Sequence, residues 1–416
     1  MSSFWKKGLS TINSQLLASR NLRLALIGCG KIADQHLHAI HRIANCEVVA
    51  VCDRELLMAK QLAERFGIPE SFSAVEEMLG LVKPDVVHIT TPPQSHYLVG
   101  KQCLEAGSHV YLEKPFTITA PEAESLVEMA DRRNLKLAAG HNLQFTPEMI
   151  EMRRLVKSGF LGGKPIHLES FFSYDLGDET YARALLGNRN HWVRQLPGQL
   201  LHNLLSHGIA KLAEFLDDDL TEIEVFADQS PLLRELGEQE IVDELRALIR
   251  DKAGTSAFYC FSTQIKGLNE LRAHGPSGSI VVDHSSGSLI RKPNRSYKSY
   301  LTYFIPPLVS AREHFRNAGM NIINFGRRKL YQDFGMKELI ERFYNSIRSN
   351  NSPPIPYREI LLTARIMEEI FDRIYPERIQ KSEITGSRSE VRPATGGFAV
   401  ANASDRAALA RRYSGQ

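Results

Sequence analysis

Two ionisable side chains have neighbours that suit proton chemistry on a hydroxyl group. Lys114 stands between Glu113 and Pro115 directly after an apolar run, where an ammonium group can hydrogen-bond a reacting oxygen. His207 follows Asn203 by four residues, which places the two on one face of a predicted helix. An imidazole titrates near neutrality and can exchange a hydroxyl proton. The alternatives are a salt-bridging surface lysine and a histidine that satisfies a buried backbone group.

A glycine-rich run lies between the first predicted strand and the helix that follows it. It consists of Gly28, Cys29, Gly30, Lys31, Ile32 and Ala33. Gly28 allows a tight turn, Gly30 lets backbone N–H groups approach a pyrophosphate, and Ala33 permits close packing of helix on strand. Asp53 ends the second strand, where a carboxylate accepts the 2′-hydroxyl of an adenosine ribose. The pattern predicts a dinucleotide-binding site formed by this run and Asp53.

The residue after this aspartate bears on which dinucleotide binds. A carboxylate at Asp53 repels a 2′-phosphate, whereas the guanidinium of Arg54 is able to accept one. Arg54 has the simpler alternative of being an exposed first residue of the next helix. We predict NAD as the cofactor, with NADP possible.

Short apolar runs alternate with amphipathic stretches from Leu22 onward. The predicted strands are Leu22 to Ile27, Val48 to Cys52, Asp85 to Thr90, His109 to Leu112 and Lys136 to Ala139. A helix is predicted from Ser95 to Ala106 between two of them. This rhythm is typical of a doubly wound Rossmann domain, in which ligands bind at the carboxyl ends of the parallel strands.

The pattern changes after Pro147, where a second domain is predicted. The elements expected there are a helix from Pro147 to Ser158, strands at His167 to Phe172, Ile223 to Ala227, Gly254 to Ile265 and Ser279 to Asp283, and helices at Lys337 to Arg348 and Tyr357 to Tyr375. The fold class is therefore α/β, with a C-terminal α+β domain that carries a large mixed or antiparallel open sheet. We assign residues 1–20 to an N-terminal extension, 21–146 to the Rossmann domain, 147–379 to the C-terminal domain and 380–416 to a flexible tail.

Composition excludes several classes of protein. The 51 basic and 48 acidic residues lack a long block of one sign, which argues against a nucleic-acid partner. Five scattered cysteines without a CxxC pair suggest neither a disulfide framework nor a zinc site. The N-terminus lacks the apolar core of a signal peptide, and no apolar run is long enough to span a membrane. We expect a cytoplasmic protein without a transmembrane segment.

Two loops at the ligand edge of the predicted sheet resemble those of a known family. The first contains Thr90, Thr91, Pro92 and His96, and the second is Glu113-Lys114-Pro115. With the glycine run, they resemble the glucose-fructose oxidoreductase and myo-inositol dehydrogenase family (Gfo/Idh/MocA). That resemblance implies that both loops flank a nicotinamide. It also implies that Asn142, in the segment leaving the Rossmann domain, lies near the cofactor.

Residues 196–207 extend the resemblance into the second domain. They are similar to the family's glycine-rich turn and D-x-x-x-H helix, with Asn203 in place of the aspartate and His207 at the catalytic histidine. Gln144 occupies a place where many members have arginine. Trp192 and Arg194, just before the helix, suit stacking on a sugar ring or holding a phosphate, although Trp192 suits an ordinary core as well.

Taken together, these residues predict an enzyme that moves hydride between a nicotinamide and a secondary alcohol of a sugar, nucleotide sugar or cyclitol. His207 exchanges the hydroxyl proton, Lys114 steadies the oxyanion and Asn203 orients a neighbouring hydroxyl, with Gln144, Trp192 and Arg194 as further substrate contacts. The alternatives are an NAD-retaining glycosidase or lyase and a non-catalytic cofactor-binding protein. We expect no metal site, because the histidines, His202 among them, lack ligand spacing.

The segment from Tyr297 to Gly335 is unusually aromatic. It contains Tyr300, Tyr303, Phe304 and Leu308, followed by the basic run of residues 327–329. Exposed aromatic side chains commonly mark interfaces, so we expect a homo-oligomer with this segment near the contact or covering the active site. Attachment to a membrane surface is the weaker alternative.

Overall fold

The computed structural model describes residues 21–176, 182–217, 220–327 and 334–375. The predicted N-terminal extension and C-terminal tail lie outside these ranges, as do Arg328 and Lys329. The described residues up to Tyr375 form one compact unit.

The N-terminal sheet is parallel and has six strands in the order β3-β2-β1-β4-β5-β6. Its strands are β1 (Leu22–Ile27), β2 (Cys46–Cys52), β3 (Glu70–Phe72), β4 (Val86–Ile89), β5 (His109–Leu112) and β6 (Leu137–Ala139). The predicted doubly wound fold is confirmed. The sequence analysis missed β3, because three residues without a buried member carry no apolar signal.

Amphipathic helices connect these strands. They are α1 (Lys31–Ile40), α2 (Leu56–Phe66), α3 (Val75–Val82), α4 (His96–Glu105) and α5 (Ala120–Arg132). Each strand's carboxyl end therefore meets the start of a helix along one edge of the sheet, which is where a ligand binds in this architecture.

The C-terminal sheet has seven strands in the order β13-β12-β11-β7-β10-β9-β8. They are β7 (His167–Ser173), β8 (Leu220–Asp228), β9 (Glu244–Asp251), β10 (Ser256–Ser262), β11 (Asn269–Gly275), β12 (Gly278–Asp283) and β13 (Ser288–Pro293). β7 and β10 run parallel, and every other described pairing is antiparallel. The predicted mixed sheet is confirmed, but β9, β11 and β13 were not predicted, although buried Leu245, Ala247 and Ile249 alternate with more exposed residues in β9.

The second half also contains eight described α-helices. They are α6 (Pro147–Lys157), α7 (Ala182–Gly187), α8 (Gln199–Leu204), α9 (Ser206–Ala213), α10 (Pro231–Glu235), α11 (Leu301–Gly326), α12 (Phe334–Ser349) and α13 (Tyr357–Ile374). The aromatic segment is thus largely the long helix α11, which contacts β13. Among the described residues, no helix is long and apolar enough to cross a membrane.

Helix α12 packs on the N-terminal core rather than on the sheet it follows. Met336, Leu339, Ile340 and Phe343 are buried in the same apolar cluster as the Rossmann strands. Helix α13 instead places Ile366, Ile370 and neighbouring residues in the core of the second sheet. These two helices tie the halves of the chain together and fix how the two cores meet.

Gly208 in α9 marks a close approach of the helix to the C-terminal sheet. A Cβ atom at this position would lie 2.2 Å from Cε2 of Tyr259, a fully buried residue of β10. We expect Gly208→Ala to lower the free energy of unfolding by about 1–3 kcal/mol, because the ring or the helix must shift. Urea denaturation measures this. Gly80→Ala in α3, where a Cβ meets nothing within 4 Å, is the control and should not destabilise. Equal stability of the two variants would contradict the packing described here.

Candidate active site

The glycine loop has the shape that a pyrophosphate requires. Gly28 adopts φ +96°, and a Cβ there would lie 2.7 Å from the carbonyl carbon of Thr90, so only glycine fits. Gly30 precedes the first residue of α1, and a Cβ there would meet nothing within 4 Å. The start of α1, with Lys31 and Ile32, is therefore open to an anion above its amide groups.

Asp53 is held at the edge of this loop. Its carboxylate accepts hydrogen bonds from the backbone N–H of Cys29 at 2.7 Å and of Glu55 at 2.9 Å. The neighbouring Arg54 is exposed. The fixed carboxylate beside open helix amides fits the adenosine side of a dinucleotide, with Gly28 and Gly30 beneath the pyrophosphate.

His96 joins the two loops that follow β4 and β5. Its Nε2 lies 2.9 Å from the carbonyl oxygen of Thr91, and its Nδ1 lies 2.9 Å from that of Pro115. Thr90 donates its hydroxyl hydrogen to the carbonyl of Gly28 at 2.6 Å. Burial lowers the pKa of His96, against the hydrogen bonds that raise it. The three ligand-edge loops are thus braced by one another, with Pro92 between them at the start of a short 3-10 turn.

Glu113 sits at the end of β5 in a buried polar network that the sequence analysis missed. Its carboxylate accepts from Nε2 of His36 at 2.9 Å and from the backbone N–H of Lys114 at 3.1 Å. His36 continues to His88 at 2.9 Å, and His88 continues to the hydroxyl of Tyr344 at 2.7 Å. The chain of contacts runs from the ligand edge through α1 and β4 to α12.

The carboxylate sets the direction of the hydrogen bonds in this network. Burial raises the pKa of Glu113, but the hydrogen bond and charge of His36, with help from Lys114, leave it lowered overall. The ionised carboxylate only accepts, so His36 donates from Nε2 and, when neutral, accepts at Nδ1 from His88. Burial raises the pKa of Tyr344 well above its ordinary value, so its hydroxyl remains protonated and donates to His88.

Lys114 reaches across to the second domain. Its Nζ donates to the backbone carbonyl of Asn203 at 3.3 Å. Burial lowers the pKa of Lys114, and the adjacent Glu113 opposes that shift. The ammonium is thus placed between an N-terminal loop and helix α8.

His207 lies one helical turn beyond Asn203. The helix is divided at Leu205 into α8 and α9, but Leu205 keeps helical angles (φ −62°, ψ −32°), so the two side chains remain on one side. The His207 ring packs on Phe172, with ring centroids 5.4 Å apart. Burial, then the charge of Lys114, lowers the pKa of His207 well below 6.5. The imidazole is therefore neutral at pH 7 and can accept a proton.

One cleft collects residues from both domains. It is lined by Lys31, Lys114, Phe172, Tyr174, Asn203, Leu204 and His207. Lys31 begins α1 beside the glycine loop, so the cleft extends from the cofactor loop to the proposed proton acceptor. A base, a cation and an amide face a shared space with an aromatic wall, which suits a polyhydroxylated ligand.

Two residues expected to contact substrate are engaged elsewhere. Arg194 pairs with Glu238 at 2.7 Å and donates to the carbonyl of Leu185 at 3.1 Å, with 8% of its side chain exposed. Gln144 is buried and donates to the carbonyl of Ala210 at 3.1 Å. Neither lines the cleft that contains Lys114 and His207, and their roles as substrate contacts stay predictions.

Trp192 is half-buried and stacks on His191, with ring centroids 5.6 Å apart. Its carbonyl accepts from Gln94 at 2.9 Å, which ties it to the loop after β4. It is also absent from the cleft lining. His202 is buried and stacks on Phe371 at 4.8 Å. Among the described residues, no group of histidine, cysteine, aspartate or glutamate is arranged to hold a metal ion.

The turn that leaves the N-terminal sheet contributes Asn142 and a further histidine. Oδ1 of Asn142 is buried without a hydrogen-bond partner among the described residues, as expected of a group that a bound cofactor would complete. His141 is buried beside it, and burial lowers its pKa to about 4. The sequence analysis passed over His141, although it follows the end of β6 at the ligand edge.

Comparisons with known proteins agree with this geometry. Residues 22–141 match the model of the Gfo/Idh/MocA family, described as an oxidoreductase family with an NAD-binding Rossmann fold. Over these residues, the chain is similar to the oxidoreductases of the Gfo/Idh/MocA family. Residues 22–141 thus form an NAD-binding domain of the Rossmann type.

Individual relatives extend beyond that domain to different degrees. The chain is 36% identical over 148 residues to the D-glucoside 3-dehydrogenase of Escherichia coli K12. This alignment covers 35% of this chain and only 42% of that protein. It is 28% identical over 327 residues to the D-apiose dehydrogenase of Paraburkholderia graminis. That alignment covers 76% of this chain and 81% of the relative. The stronger identity is thus confined to less than half the length of the relative that carries it.

A solved structure shares the fold over nearly the whole described chain. The WlbA dehydrogenase from Bordetella pertussis, in complex with NADH and UDP-GlcNAcA, aligns with a TM-score of 0.68 and 17% identity. The alignment covers 86% of this chain and 96% of that one. Both domains therefore have counterparts in a known architecture.

The Glu113 network gives a prediction for stability and its dependence on pH. We expect His36→Leu to lower the free energy of unfolding at pH 7 by about 1–3 kcal/mol, because a buried carboxylate loses its donor. The lowered pKa of Glu113 contributes stability above the unfolded value, 4.5, and that contribution is lost as the pH falls through the folded value.

The difference between wild type and His36→Leu should therefore be largest near neutral pH and narrow below about pH 4.5. Chemical denaturation across this range measures it. His38→Leu, on the exposed side of the same helix, is the matched control and should change stability little. A deficit that is independent of pH would show that His36 acts by packing alone.

Proposed function

We propose that this protein is an NAD-dependent dehydrogenase that oxidises, or in reverse forms, a secondary alcohol on a sugar, nucleotide sugar or cyclitol. The observation that carries the proposal is the cleft in which Lys114 of the first domain and His207 of the second face one space beside the glycine loop. The dehydrogenases of D-glucosides and D-apiose among its relatives, and the structural neighbour bound to UDP-GlcNAcA, support a carbohydrate substrate.

Each side chain of the cleft has a distinct role in the proposed reaction. NAD, held by the glycine loop and Asp53, supplies a hydride acceptor at the nicotinamide. His207, neutral at pH 7, accepts the hydroxyl proton as the C–H bond breaks. Lys114 donates a hydrogen bond to the same oxygen while negative charge develops there. Asn203 orients the ring through a neighbouring hydroxyl.

Charge in the cleft bears on the class of substrate. Lys31 and Lys114 are the cations among its lining residues, and no acidic side chain of the described ranges lines it. With Arg194 paired to Glu238, an anionic group of the substrate would have to be recognised by Lys31. A neutral sugar, or a nucleotide sugar whose phosphates approach α1, fits this arrangement.

We expect the protein to act in the cytoplasm and to form a homo-oligomer. The side of the C-terminal sheet away from its helices exposes Phe226 of β8, 70% exposed, and Leu248 of β9, 51% exposed. Apolar side chains on an open sheet face favour pairing with a second copy through that face.

Cofactor choice follows from Asp53. We expect tighter binding of NAD than of NADP, because the carboxylate accepts a 2′-hydroxyl and repels a 2′-phosphate. Asp53→Ala should weaken NAD binding and reduce the preference, and Glu70→Ala, on the adjacent strand β3, is an exposed acidic control. Fluorescence titration with both cofactors measures the affinities. Equal or tighter binding of NADP to the wild type would contradict this assignment.

If Lys114 and His207 have these catalytic roles, substituting them should lower turnover without weakening the binding of NAD. Lys114→Ala and His207→Ala should each lower kcat by roughly a hundred- to ten-thousand-fold, as expected for losing an acid–base group. NAD affinity should stay nearly unchanged, because neither side chain is proposed to hold the adenosine or pyrophosphate. Asn203→Ala should act mainly by raising KM.

Matched controls come from elsewhere on the surface. Lys101→Ala in α4 and His38→Ala in α1 remove a lysine and a histidine far from the cleft lining and should leave turnover unchanged. If His207→Ala kept near-normal turnover at every pH while Lys114→Ala was inactive, His207 would have a structural role and not a catalytic one.

A further inference from the structure

Helix α11 presents an unusual concentration of exposed apolar side chains. Of the twenty large hydrophobic residues that are exposed in the described chain, ten lie between Tyr300 and Phe325. Tyr303 is 79% exposed, Phe315 80% and Ile322 72%. A helix on a water-facing surface ordinarily turns such residues inward.

Three polar residues of α11 instead contact the protein. Glu313, its one buried residue, pairs with Arg291 of β13 at 2.8 Å. Asn317 donates to the carbonyl of Leu289 at 2.8 Å, and Asn321 donates to the carbonyl of Ser286 at 3.0 Å. These bonds fix the rotation of the helix about its axis, so the apolar side is held outward by specific contacts.

The outward side forms a continuous stripe. Its large members are Leu301, Phe304, Leu308, Phe315, Ile322 and Phe325. Steps of three, four or seven residues keep them within one sector of the helix. With a rise of about 1.5 Å per residue, the 26-residue helix gives a stripe about 39 Å long.

The charge around the stripe is of one sign. Residues 295–329 contain seven basic residues and one acidic residue, a formal charge of 7 − 1 = +6. The acidic residue is Glu313, which Arg291 and Arg316 already neutralise. Five of the seven basic residues lie at the two ends of the segment. Arg295 and Lys298 precede the helix, and residues 327–329 follow it in sequence.

The distribution of charge indicates whether the stripe contacts a second copy of the chain or a lipid surface. If two copies paired through α11, basic ends would meet basic ends in either orientation, which is unfavourable. An anionic lipid surface would neutralise both ends while accepting the apolar side chains. The helix does not qualify as a membrane span, and the contacts of Glu313 and Asn317 hold it alongside the protein.

We propose that α11 lies in the headgroup region of an anionic phospholipid membrane and holds the enzyme against that surface. The stripe inserts its aromatic and aliphatic side chains between the lipids, and the basic ends contact the phosphates. The attachment is independent of the reaction proposed above, since none of the described residues from Arg295 to Arg327 lines the cleft.

Vesicle flotation of the full chain tests the proposal. The protein should float with vesicles of phosphatidylcholine containing about one-third phosphatidylglycerol, and much less with phosphatidylcholine alone. Leu308→Ser with Phe315→Ser should lower binding to the anionic vesicles by at least about tenfold, because both side chains leave the apolar stripe. Leu57→Ser with Leu81→Ser, which removes residues 68% and 70% exposed on α2 and α3, is the matched control and should bind normally.

Two readouts separate the proposal from its rivals. Retained NAD affinity in every variant shows that the fold is intact, so failure of the dehydrogenase assay alone would leave the attachment standing. Absence of flotation with anionic vesicles, or flotation that Leu308→Ser with Phe315→Ser does not reduce, would overturn it. A lipid-free dimer, detected by light scattering and dissociated by the same double variant, would also overturn the proposal. A second copy of the chain would then cover the stripe.

Discussion

A carboxylate buried at the end of a parallel strand must find donors, and the position of Glu113 depends on meeting that requirement. His36 supplies one donor from α1 and the backbone of Lys114 supplies another. Gly140 leaves the space, since a Cβ there would lie 2.9 Å from Oε1 of Glu113. Because Lys114 is the next residue, satisfying Glu113 also fixes where the proposed catalytic ammonium emerges.

The same constraint reaches into the second half of the chain. Through His36 and His88 the network ends on Tyr344 of α12, so the packing of that helix on the N-terminal core and the ligand edge are coupled. Lys114 then meets the carbonyl of Asn203 across the cleft. With a neutral His207 and a partly desolvated Lys114 lining one cleft, we propose that these side chains act as proton acceptor and hydrogen-bond donor to one substrate oxygen.

Local patterns predicted the parts of the fold and site that depend on short stretches of sequence. The Rossmann strands and the turn at Gly28 follow from apolar runs and glycine geometry, and the shared face of Asn203 and His207 follows from helical spacing. The hydrogen bonds of Arg194 and Gln144 could not be predicted, because their partners Glu238 and Ala210 lie 44 and 66 residues away in sequence. Pairing over such distances leaves no local pattern. No helix was predicted over α11, which contains Pro306 and Pro307.

The central claim is that residues from two domains act on a single substrate oxygen. A crystal structure of the protein with NAD and a sugar that it oxidises tests this most directly. We predict that Lys114 Nζ and a ring nitrogen of His207 both lie within about 2.6–3.2 Å of the same hydroxyl oxygen, with Asn203 on a neighbouring one. A substrate bound with its reacting hydroxyl contacting only one of the two, or bound outside this cleft, would contradict the account.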